Sequence, residues 1–531
     1  MPKDEIELQI EGLPGDDTTS TSGVLLHHDD NNTLRRLGKR PLLTRSFGFM
    51  SLLGFSCSAL CSWESILLTS VPGLLISGPS SLIWGLALNW VGLISIGATL
   101  AELASIAPTA GGQYHWVAMM SPKSCSNFLS YFTAWITTLA WQTTTIMVNY
   151  INATLLQGIV VLARPIYVAL PWHTVLIIWA FSLFTAILNS FTNKVLAKLE
   201  GLILVLHLAG FFGVLIPMVY LAPHNTPSSV FTSFRNDGQW PSQTLAFFIA
   251  FPSLATSLLG VDCAVHMSEE IQSAAVVVPR ALMYTIIING SMALAMAIAM
   301  IFCIEDLDAA LAAVNTMFYP CLQIFSSAVR SIKGACLMAG VVLVLSIAGG
   351  VGVYASASRM VWSFSRDKGL PFSSYLVKLT KTSLPANAIF ATFISTLLVS
   401  LIVLGSSVAL QALCSLSVAA LYSSYLIPCT LLLWRRSTGR IRPYSVDSEA
   451  LNPGVVWGPW RIPEPFGTLN NAFGCLYNVI TLFWSFWPQS KYPTASTLNW
   501  SVLPFSIMLL FSILWYVLRA KYYFKGPIRE V

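Results

Sequence analysis

Four ionisable residues follow a long uncharged stretch of the chain. Residues 245–261 carry no charge, and then Asp262, His266, Glu269 and Glu270 occur within nine residues. Their spacing of i, i+4, i+7 and i+8 predicts that all four lie on one side of a helix. Such a cluster could bind a metal, perform acid–base catalysis or form the polar end of a helix embedded in lipid.

The first two chemistries have little support elsewhere in the sequence. There is no HExxH motif and no second cluster of histidine and cysteine, so we expect neither a metal nor another cofactor. A membrane-embedded hydrolase is also disfavoured, because the chain has no GxSxG motif and no evident nucleophile–base pair. The sequence therefore predicts that the protein is not an enzyme.

The composition favours the third chemistry. Of the 531 residues, 55% are hydrophobic and only 10% are charged, and the mean hydropathy is +0.69. Soluble proteins carry roughly 25% charged residues. We therefore predict an all-α, polytopic membrane protein. Twelve stretches are long and apolar enough to span a bilayer, numbered here as spans 1 to 12: 47–70, 80–104, 126–160, 171–190, 199–222, 243–266, 281–304, 335–356, 386–405, 408–433, 468–487 and 498–519.

The distribution of basic residues predicts the orientation. With both termini in the cytosol, 24 Lys and Arg residues lie inside and five outside, as the positive-inside rule requires. The net charge of +6 therefore reflects topology, and we expect no nucleic-acid partner. The predicted organisation is a disordered cytosolic tail over 1–45, a membrane domain over 46–520 and a cytosolic tail over 521–531.

Two spans carry signs of an interrupted helix. In span 1, residues 56–65 contain four serines, two cysteines and Glu64, and small hydroxyl side chains can bind backbone groups that an unwound helix leaves free. In span 6, Pro252 removes a backbone donor and Gly260 permits an unusual backbone angle. If the chain contains a repeat of five spans, the two interruptions are equivalent. Pro and Gly can also merely kink a membrane helix.

Several motifs then identify a family. The segments CSWESIL, PTAGGQYHWVAMMSP, LAKLEGLILVLHLAGF, GVDCAVHMSEE with VVVPRAL, and ASASRMVWSFSRDKGLPFS occur in order over roughly residues 45–525. This set resembles the amino acid–polyamine–organocation permeases, and most closely their fungal branch of amino acid, choline and 4-aminobutyrate permeases. The resemblance implies twelve transmembrane helices: a 5+5 inverted repeat, with helices 1 and 6 discontinuous, and two peripheral helices, 11 and 12. It also implies a substrate site between the two breaks.

Glu64 is the main indication of the substrate, because a carboxylate in a neutral break would attract a cationic group. Amino acids, choline, 4-aminobutyrate and polyamines all carry one, and the sequence does not choose among them. The half-helix N-termini could hold a substrate carboxylate. A quaternary ammonium would instead favour aromatic rings, of which Trp63, Trp135, Trp141, Phe251 and Tyr354 are available. The predicted substrate-binding residues are Ser62, Trp63, Glu64, Ser65, Thr138, Gln142, Phe251, Ser253, Thr256 and Asp262.

The remaining charges near the end of span 6 predict a gate. His266, Glu269 and Glu270 should follow the break toward the cytosolic surface, where they could pair with Arg359, Arg366 and Lys368. The alternative is a solvated helix end that has no role in gating. His207, alone on the apolar span 5, is more typical of a packed, hydrogen-bonded group than of a proton relay.

The sequence thus predicts a secondary active transporter of amino acids or related small amines that works by alternating access in a lipid bilayer and is coupled to H+. The alternative is a membrane nutrient sensor of the same fold that does not transport. The short tails favour transport, because a sensor usually needs a long signalling tail. An ion channel is less favoured, since no repeated pore motif is present. We expect the plasma membrane, with a vacuolar or other internal membrane as the alternative.

Overall fold

The computed structural model describes residues 30–31, 33–191, 193–405, 408–444, 455–495, 498–528 and 530. Over these residues the chain is helical, and no strand occurs in this part. Each of the predicted spans contains a helix. Spans 1 to 5 comprise Phe49–Leu60 with Ser62–Thr69, Pro79–Ile106, Ser126–Ala163, Pro171–Asn189 and Asn193–Leu221. Spans 6 to 12 comprise Gln243–Leu258 with Cys263–His266, Ala274–Phe302, Ile332–Arg366, Ala386–Leu404, Ala409–Ser437, Phe466–Trp484 and Val502–Leu518.

Nine of the helices in the described part are long and apolar enough to cross a membrane. The helices of spans 6, 11 and 12 do not meet that standard. Span 6 is divided into short pieces, and Val502–Leu518 has only 17 residues. The all-α, polytopic architecture is therefore confirmed, whereas the count of twelve and the inverted repeat stay predictions.

Both predicted interruptions are present. In span 1, Cys61 adopts the left-handed conformation (φ 45°, ψ 43°) and separates Phe49–Leu60 from Ser62–Thr69. A non-glycine residue in this conformation is uncommon, and it breaks the ladder of helical hydrogen bonds. In span 6 the break lies at Gly260, whose φ of 89° a side chain would oppose, whereas Pro252 remains inside the helix Gln243–Ala255. We call the two parts of span 1 half-helix 1a (Phe49–Leu60) and half-helix 1b (Ser62–Thr69).

The segments before span 1 and after span 12 meet on one face of the helical bundle. The Arg40 backbone N–H donates to Glu530 Oε2 at 2.8 Å, and Arg40 Nε donates to the Glu530 carbonyl at 3.0 Å. We call this the terminal face, and the other end of the bundle the opposite face. Because Arg40 and Glu530 lie on the same side, the described part of the chain agrees with an even number of crossings. That this side is the cytosol stays a prediction.

Parts of both predicted tails lie against the helical bundle. Residues 1–29 lie outside the described residues, but residues 33–45 are described and Lys39 among them is buried. At the other end Phe524 is fully buried and packs against Tyr131 and Phe364. Both segments lie against the bundle because their apolar and charged side chains find partners there, which composition alone could not show. The predicted bounds of the tails and of the membrane domain stay predictions.

Candidate functional site

A small cavity lies between the two breaks, and we call it the central chamber. Its volume is about 30 Å³, which is room for about two water molecules. Spans 1, 3, 6 and 8 form its walls, and its polar lining residues are Cys61, Ser65, Thr69, Thr144, Thr256 and Ser346. None of the described side chains that line it is charged or aromatic. The chamber must therefore widen before it can hold a solute of the size of an amino acid.

A larger cavity of about 260 Å³, the outer vestibule, lies toward the opposite face. Thr69 and Thr256 line both cavities, so the vestibule and the chamber adjoin each other. Trp484 and Trp487 contribute aromatic surface to its wall, and Ser253 and several amide side chains contribute polar groups. Its volume approaches the roughly 300 Å³ at which small-molecule sites begin.

The terminal face is closed by two buried ion pairs. Arg366 binds both carboxylate oxygens of Glu269, at 2.8 and 2.7 Å, and this carboxylate also accepts from the Ala110 N–H at 3.1 Å. Arg359 Nε donates to Glu270 Oε1 at 2.9 Å, with both side chains fully buried. The bidentate arrangement is the strongest geometry available to an arginine and a carboxylate.

The ionisation of Glu269 depends on this partner. Burial alone would raise the pKa of Glu269, but the nearby Arg366 guanidinium more than compensates and holds the pKa below the ordinary value of 4.5. Glu269 is thus charged at neutral pH, and the pair is a true ion pair.

Asp262 is the centre of a second closed network beneath the break of span 6. Its carboxylate accepts hydrogen bonds from Gln113 Nε2, Tyr425 OH and Trp141 Nε1, the last at 3.3 Å, and it lies 3.2 Å from His266 Nε2. These partners come from the loop after span 2 and from spans 3, 6 and 10. The network therefore ties several elements together below the chamber.

Asp367 joins the chain ends to this closure. It forms a buried ion pair with Lys39, accepts from Tyr114 OH at 2.7 Å and accepts from the Ile528 N–H at 2.8 Å. Residues from before span 1 and after span 12 thus meet on one carboxylate beside Arg366.

The structure places the predicted substrate residues in different surroundings. Ser65 and Thr256 line the chamber, and Ser253 lines the vestibule. Ser62 is buried at the start of half-helix 1b, where its N–H lies 3.5 Å from Asn289 Oδ1. Asp262 lies in the network below and does not line the chamber.

Trp63 and Glu64 point away from the chamber. Glu64 Oε1 lies 2.8 Å from His207 Nδ1 on span 5, and Trp63 packs against the rings of His207 and Phe211. His207 is therefore packed and hydrogen-bonded, and its partner is the carboxylate that was expected to hold substrate.

The other predicted contacts also lie outside the chamber lining. Gln142 is hydrogen-bonded to Thr392 and Ser395 of span 9, and the Thr138 hydroxyl donates to the Ala134 carbonyl within its own helix. Phe251 packs against Tyr477 of span 11. As substrate contacts, all of these residues stay predictions.

The aromatic rings that were candidates for binding a quaternary ammonium pack against other side chains or form hydrogen bonds elsewhere. Trp135 packs against Phe364 and Phe511, and the Tyr354 hydroxyl donates to the Ile389 carbonyl. Trp141 lies under the break, where its ring packs edge-on against His266.

One geometric prediction for the cluster is wrong. Asp262, His266, Glu269 and Glu270 do not share one side of a continuous helix, because Cys263–His266 forms a single turn and Ser268–Glu270 is a separate 3₁₀ turn. The two glutamates consequently reach different arginines. The predicted ionic contacts of Arg359 and Arg366 are present, whereas Lys368 is exposed and forms no ion pair with any described residue.

Several residues of the site were not recognised from the sequence. Gln113 and Asp367 lie inside motifs quoted above, next to residues that attracted attention, and Thr144 lies in a run of three threonines on span 3. For these three residues the sequence therefore contained a usable signal. Tyr425 and Ser346 gave none, since a hydroxyl on an apolar span is common and only packing shows what it faces.

Residues 47–513 match the family described as amino acid permease. An uncharacterized amino-acid permease of Schizosaccharomyces pombe is 26% identical and is aligned over 94% of this chain and 85% of its own length. The choline transporter of Saccharomyces cerevisiae is 28% identical over 87% of this chain and 80% of its own length. A putative amino acid/polyamine transporter of Macrophomina phaseolina is 28% identical over 76% of this chain and 90% of its own length.

Proposed function

The chain belongs to the amino acid permease family, and on that premise we propose that it moves small neutral amino acids across a membrane by alternating access, driven by protons. At the coarser level it is a multi-pass integral membrane transporter of amino acids or related amines, and it is not an enzyme.

One observation carries the proposal. The central chamber lies between two opposed helix breaks, below the outer vestibule and above a layer of buried ion pairs. A transporter that works by alternating access needs a binding site that is sealed from one side of the membrane while it is open to the other. This arrangement supports a state closed at the terminal face and accessible from the opposite face.

The chemistry of the chamber favours a zwitterion. Half-helix 1b begins at the break, so its first N–H groups and the positive end of its dipole can hold a carboxylate. The last carbonyls of half-helix 1a and of Gln243–Leu258 lack partners within their helices and can hold an ammonium group. The hydroxyls of Ser65, Thr144 and Thr256 supply neutral hydrogen bonds. A polyamine would need carboxylates, and the described lining contains none.

A quaternary amine such as choline is the second candidate. The observation that favours it is the pair Trp484 and Trp487 in the vestibule, since aromatic faces attract such cations. A relative carries the name choline transporter. We rank it second because the rings line the vestibule and not the chamber between the breaks.

The direct test is counterflow in proteoliposomes that contain the purified full-length chain. Vesicles preloaded with unlabelled alanine, 4-aminobutyrate, choline or spermidine should take up the matching labelled compound, and we expect the largest uptake with alanine. Larger uptake of choline would favour the second candidate. A protein that binds alanine but exchanges none of the four compounds would instead be a sensor, which would overturn the proposal.

Two neighbouring threonines provide a matched pair of variants. Thr144 and Thr145 are both buried, and each hydroxyl donates to the carbonyl four residues earlier at 2.8 Å, but only Thr144 lines the chamber. Thr144→Val should raise KM by roughly three- to tenfold, since a hydrogen bond contributes about 1 kcal/mol. Thr145→Val should leave KM unchanged. Equal effects of both changes would place the substrate elsewhere.

The membrane of residence also remains part of the proposal. We expect the plasma membrane, with the termini in the cytosol. A fluorescent tag at residue 531 that reports the plasma membrane, and that an impermeant quencher outside the cell cannot reach, would support both statements.

A further inference from the structure

Span 5 holds the two halves of the broken span 1 in different ways. Half-helix 1a packs directly on span 5: a Cβ at Gly54 would lie 2.3 Å from the Glu200 carbonyl oxygen, so the two backbones are in contact. The Ser58 hydroxyl donates to Glu200 Oε2 at 2.8 Å. Half-helix 1b is joined to span 5 through the Glu64–His207 pair at 2.8 Å. One half thus rests on close packing, and the other is held by a contact that can gain or lose a proton.

The pair is buried but incompletely bonded. Both side chains are 1% exposed, and Glu64 Oε2 and His207 Nε2 have no hydrogen-bond partner among the described residues. A purely structural buried ion pair needs its remaining polar atoms satisfied, because unpaired ones carry the full cost of desolvation. Two open positions on a histidine and a carboxylate suit a group that must exchange a proton.

We propose that Glu64 and His207 together bind the coupling proton. With His207 neutral and Glu64 ionised, the pair carries one negative charge in a buried position. One added proton makes the pair neutral, whether it is shared as imidazolium with carboxylate or as imidazole with carboxylic acid. No other bond forms or breaks, and the proton leaves to water when the site opens. This inference rests on the proposed function and names the proton site within it.

The position of the pair explains how the proton would act on the substrate. Glu64 and the chamber residue Ser65 are neighbours on half-helix 1b, three and four residues after the break. A buried net charge is costly, so without the proton the half-helix should favour positions that admit water to Glu64. Protonation removes that cost and lets the half-helix close over the chamber. Proton and substrate then favour the same closed state, which is the requirement for symport.

Other groups near the pair are few. Span 1 contributes the thiols of Cys57 and Cys61, of which the Cys61 thiol lies within hydrogen-bonding reach of Glu64. Span 5 contributes Glu200. The neutral side chains of Thr285 and Asn289 on span 7 lie beside Cys57, and Ser346 on span 8 lies beside Cys61. Glu200 lies seven residues before His207 and therefore on the same side of span 5, but its carboxylate contacts half-helix 1a. No described arginine or lysine forms an ion pair with Glu64.

The experiment compares two modes of transport in proteoliposomes with labelled alanine, or with whichever compound the counterflow panel selects. Counterflow needs no proton movement, whereas accumulation against a gradient needs coupling. Glu64→Gln and His207→Gln should each keep counterflow within about threefold of wild type. In both variants the accumulation driven by an imposed pH gradient should fall at least tenfold. Their uptake should no longer vary between pH 5 and 8. The control is His173→Gln, because His173 contacts Tyr167 and lies far along the chain from this pair.

An aspartate variant provides a second test in case a glutamine variant fails to fold. Glu64→Asp keeps a titrating group and should retain accumulation with a shifted pH midpoint; an unshifted midpoint in a well-folded protein would overturn the proton site. Full pH-driven accumulation in both glutamine variants would do the same. If wild type exchanges alanine but accumulates it only with sodium, the proton site and the proposed proton coupling fail, whereas the proposed transport of amino acids by alternating access stands. If wild type exchanges no compound of the panel, both fail.

Discussion

The two ends of the bundle are built from different chemistry. At the terminal face Glu269, Glu270, Arg359, Arg366 and Asp367 are buried and paired. At the opposite face the described ion pairs lie on the exposed surface, where Arg235 contacts Asp308 at 2.7 Å, and the outer vestibule is lined by neutral side chains. The closed end of this conformation is thus the charged end, and the accessible end is neutral.

This difference indicates how each end opens. A buried ion pair costs desolvation energy that its mutual attraction repays only while the geometry is complete. When water enters, the separated charges regain hydration, so such a seal can open without a large penalty. A neutral, partly aromatic wall closes instead by apolar contact, which gains free energy as water leaves. The comparison predicts that charge changes at the terminal face disturb transport far more than the same changes at the opposite face.

The largest effect is expected from reversing one charge of the Glu269–Arg366 pair. Arg366→Glu places two carboxylates together in a buried position, and breaking such a pair costs about 3–5 kcal/mol, so transport should fall by a hundredfold or more. The combined change Glu269→Arg with Arg366→Glu should recover at least tenfold. Labelled alanine uptake, normalised to protein in the membrane, measures this.

The matched control for that prediction lies at the opposite face. Reversing Arg235, Asp308 or both should change uptake by less than about fivefold, since an exposed pair contributes no more than about 1 kcal/mol. Damage that is strictly multiplicative in the Glu269–Arg366 double variant would argue against a direct functional pair.

A smaller effect is expected at the network below the break of span 6. Asp262→Asn keeps the size of the side chain but removes the charge on which three donors and His266 converge. Hydrogen bonds to a charged group contribute about 1.5–3 kcal/mol, so turnover should fall by roughly ten- to a hundredfold. Tyr425→Phe removes one donor only and should cause a clearly smaller loss in the same assay. A Tyr425→Phe variant as impaired as Asp262→Asn would mean that the network does not act through the carboxylate.

The junction of the chain ends should modulate the seal more weakly. Glu530 Oε1 lies 3.7 Å from Arg366 Nε and is partly exposed, so its contribution should be below about 1 kcal/mol. Ser365→Cys is a suitable reporter, because the Ser365 hydroxyl is buried and has no partner among the described residues. In that background Glu530→Gln should speed labelling of the introduced thiol by a maleimide about two- to fivefold. The exposed Lys525→Gln is the control, and equal labelling rates in the two variants would remove the chain ends from the seal.

The smallest effect concerns pH. The pKa of Glu269 is lowered on folding, because Arg366 outweighs the cost of burial, so its stabilising effect is complete above the ordinary value of 4.5 and is lost as pH falls through the lower folded value. The melting temperature of wild type should exceed that of Glu269→Gln by a constant amount at neutral pH, and the difference should shrink below pH 4.5. A difference that already shrinks between pH 7 and 6 would contradict the ion pair as described. If the ion pair is as described, any pH dependence of transport between pH 7 and 6 must arise at another site.

Much of the architecture follows from the sequence, because it depends on local properties. A run of about 20 apolar residues has to form a helix in lipid, since no water is present to bind its backbone groups. The breaks at Cys61 and Gly260 lie where the hydroxyl-rich and glycine-containing segments predicted them. The opposite charges that close the terminal face can also be recognised in the sequence, because only 10% of the residues are charged.

What the sequence could not determine is the direction in which each side chain points. Glu64 and Ser65 are adjacent in the chain, yet one faces His207 and the other faces the chamber. Glu269 and Glu270 are adjacent too, yet they bind Arg366 and Arg359 separately. The rotation of a helix about its axis, and the exact residue at which it ends, are set by packing against helices that are distant in sequence. Those contacts exist only in the folded protein, so the tertiary structure alone assigns Glu64 to span 5 and leaves the chamber neutral.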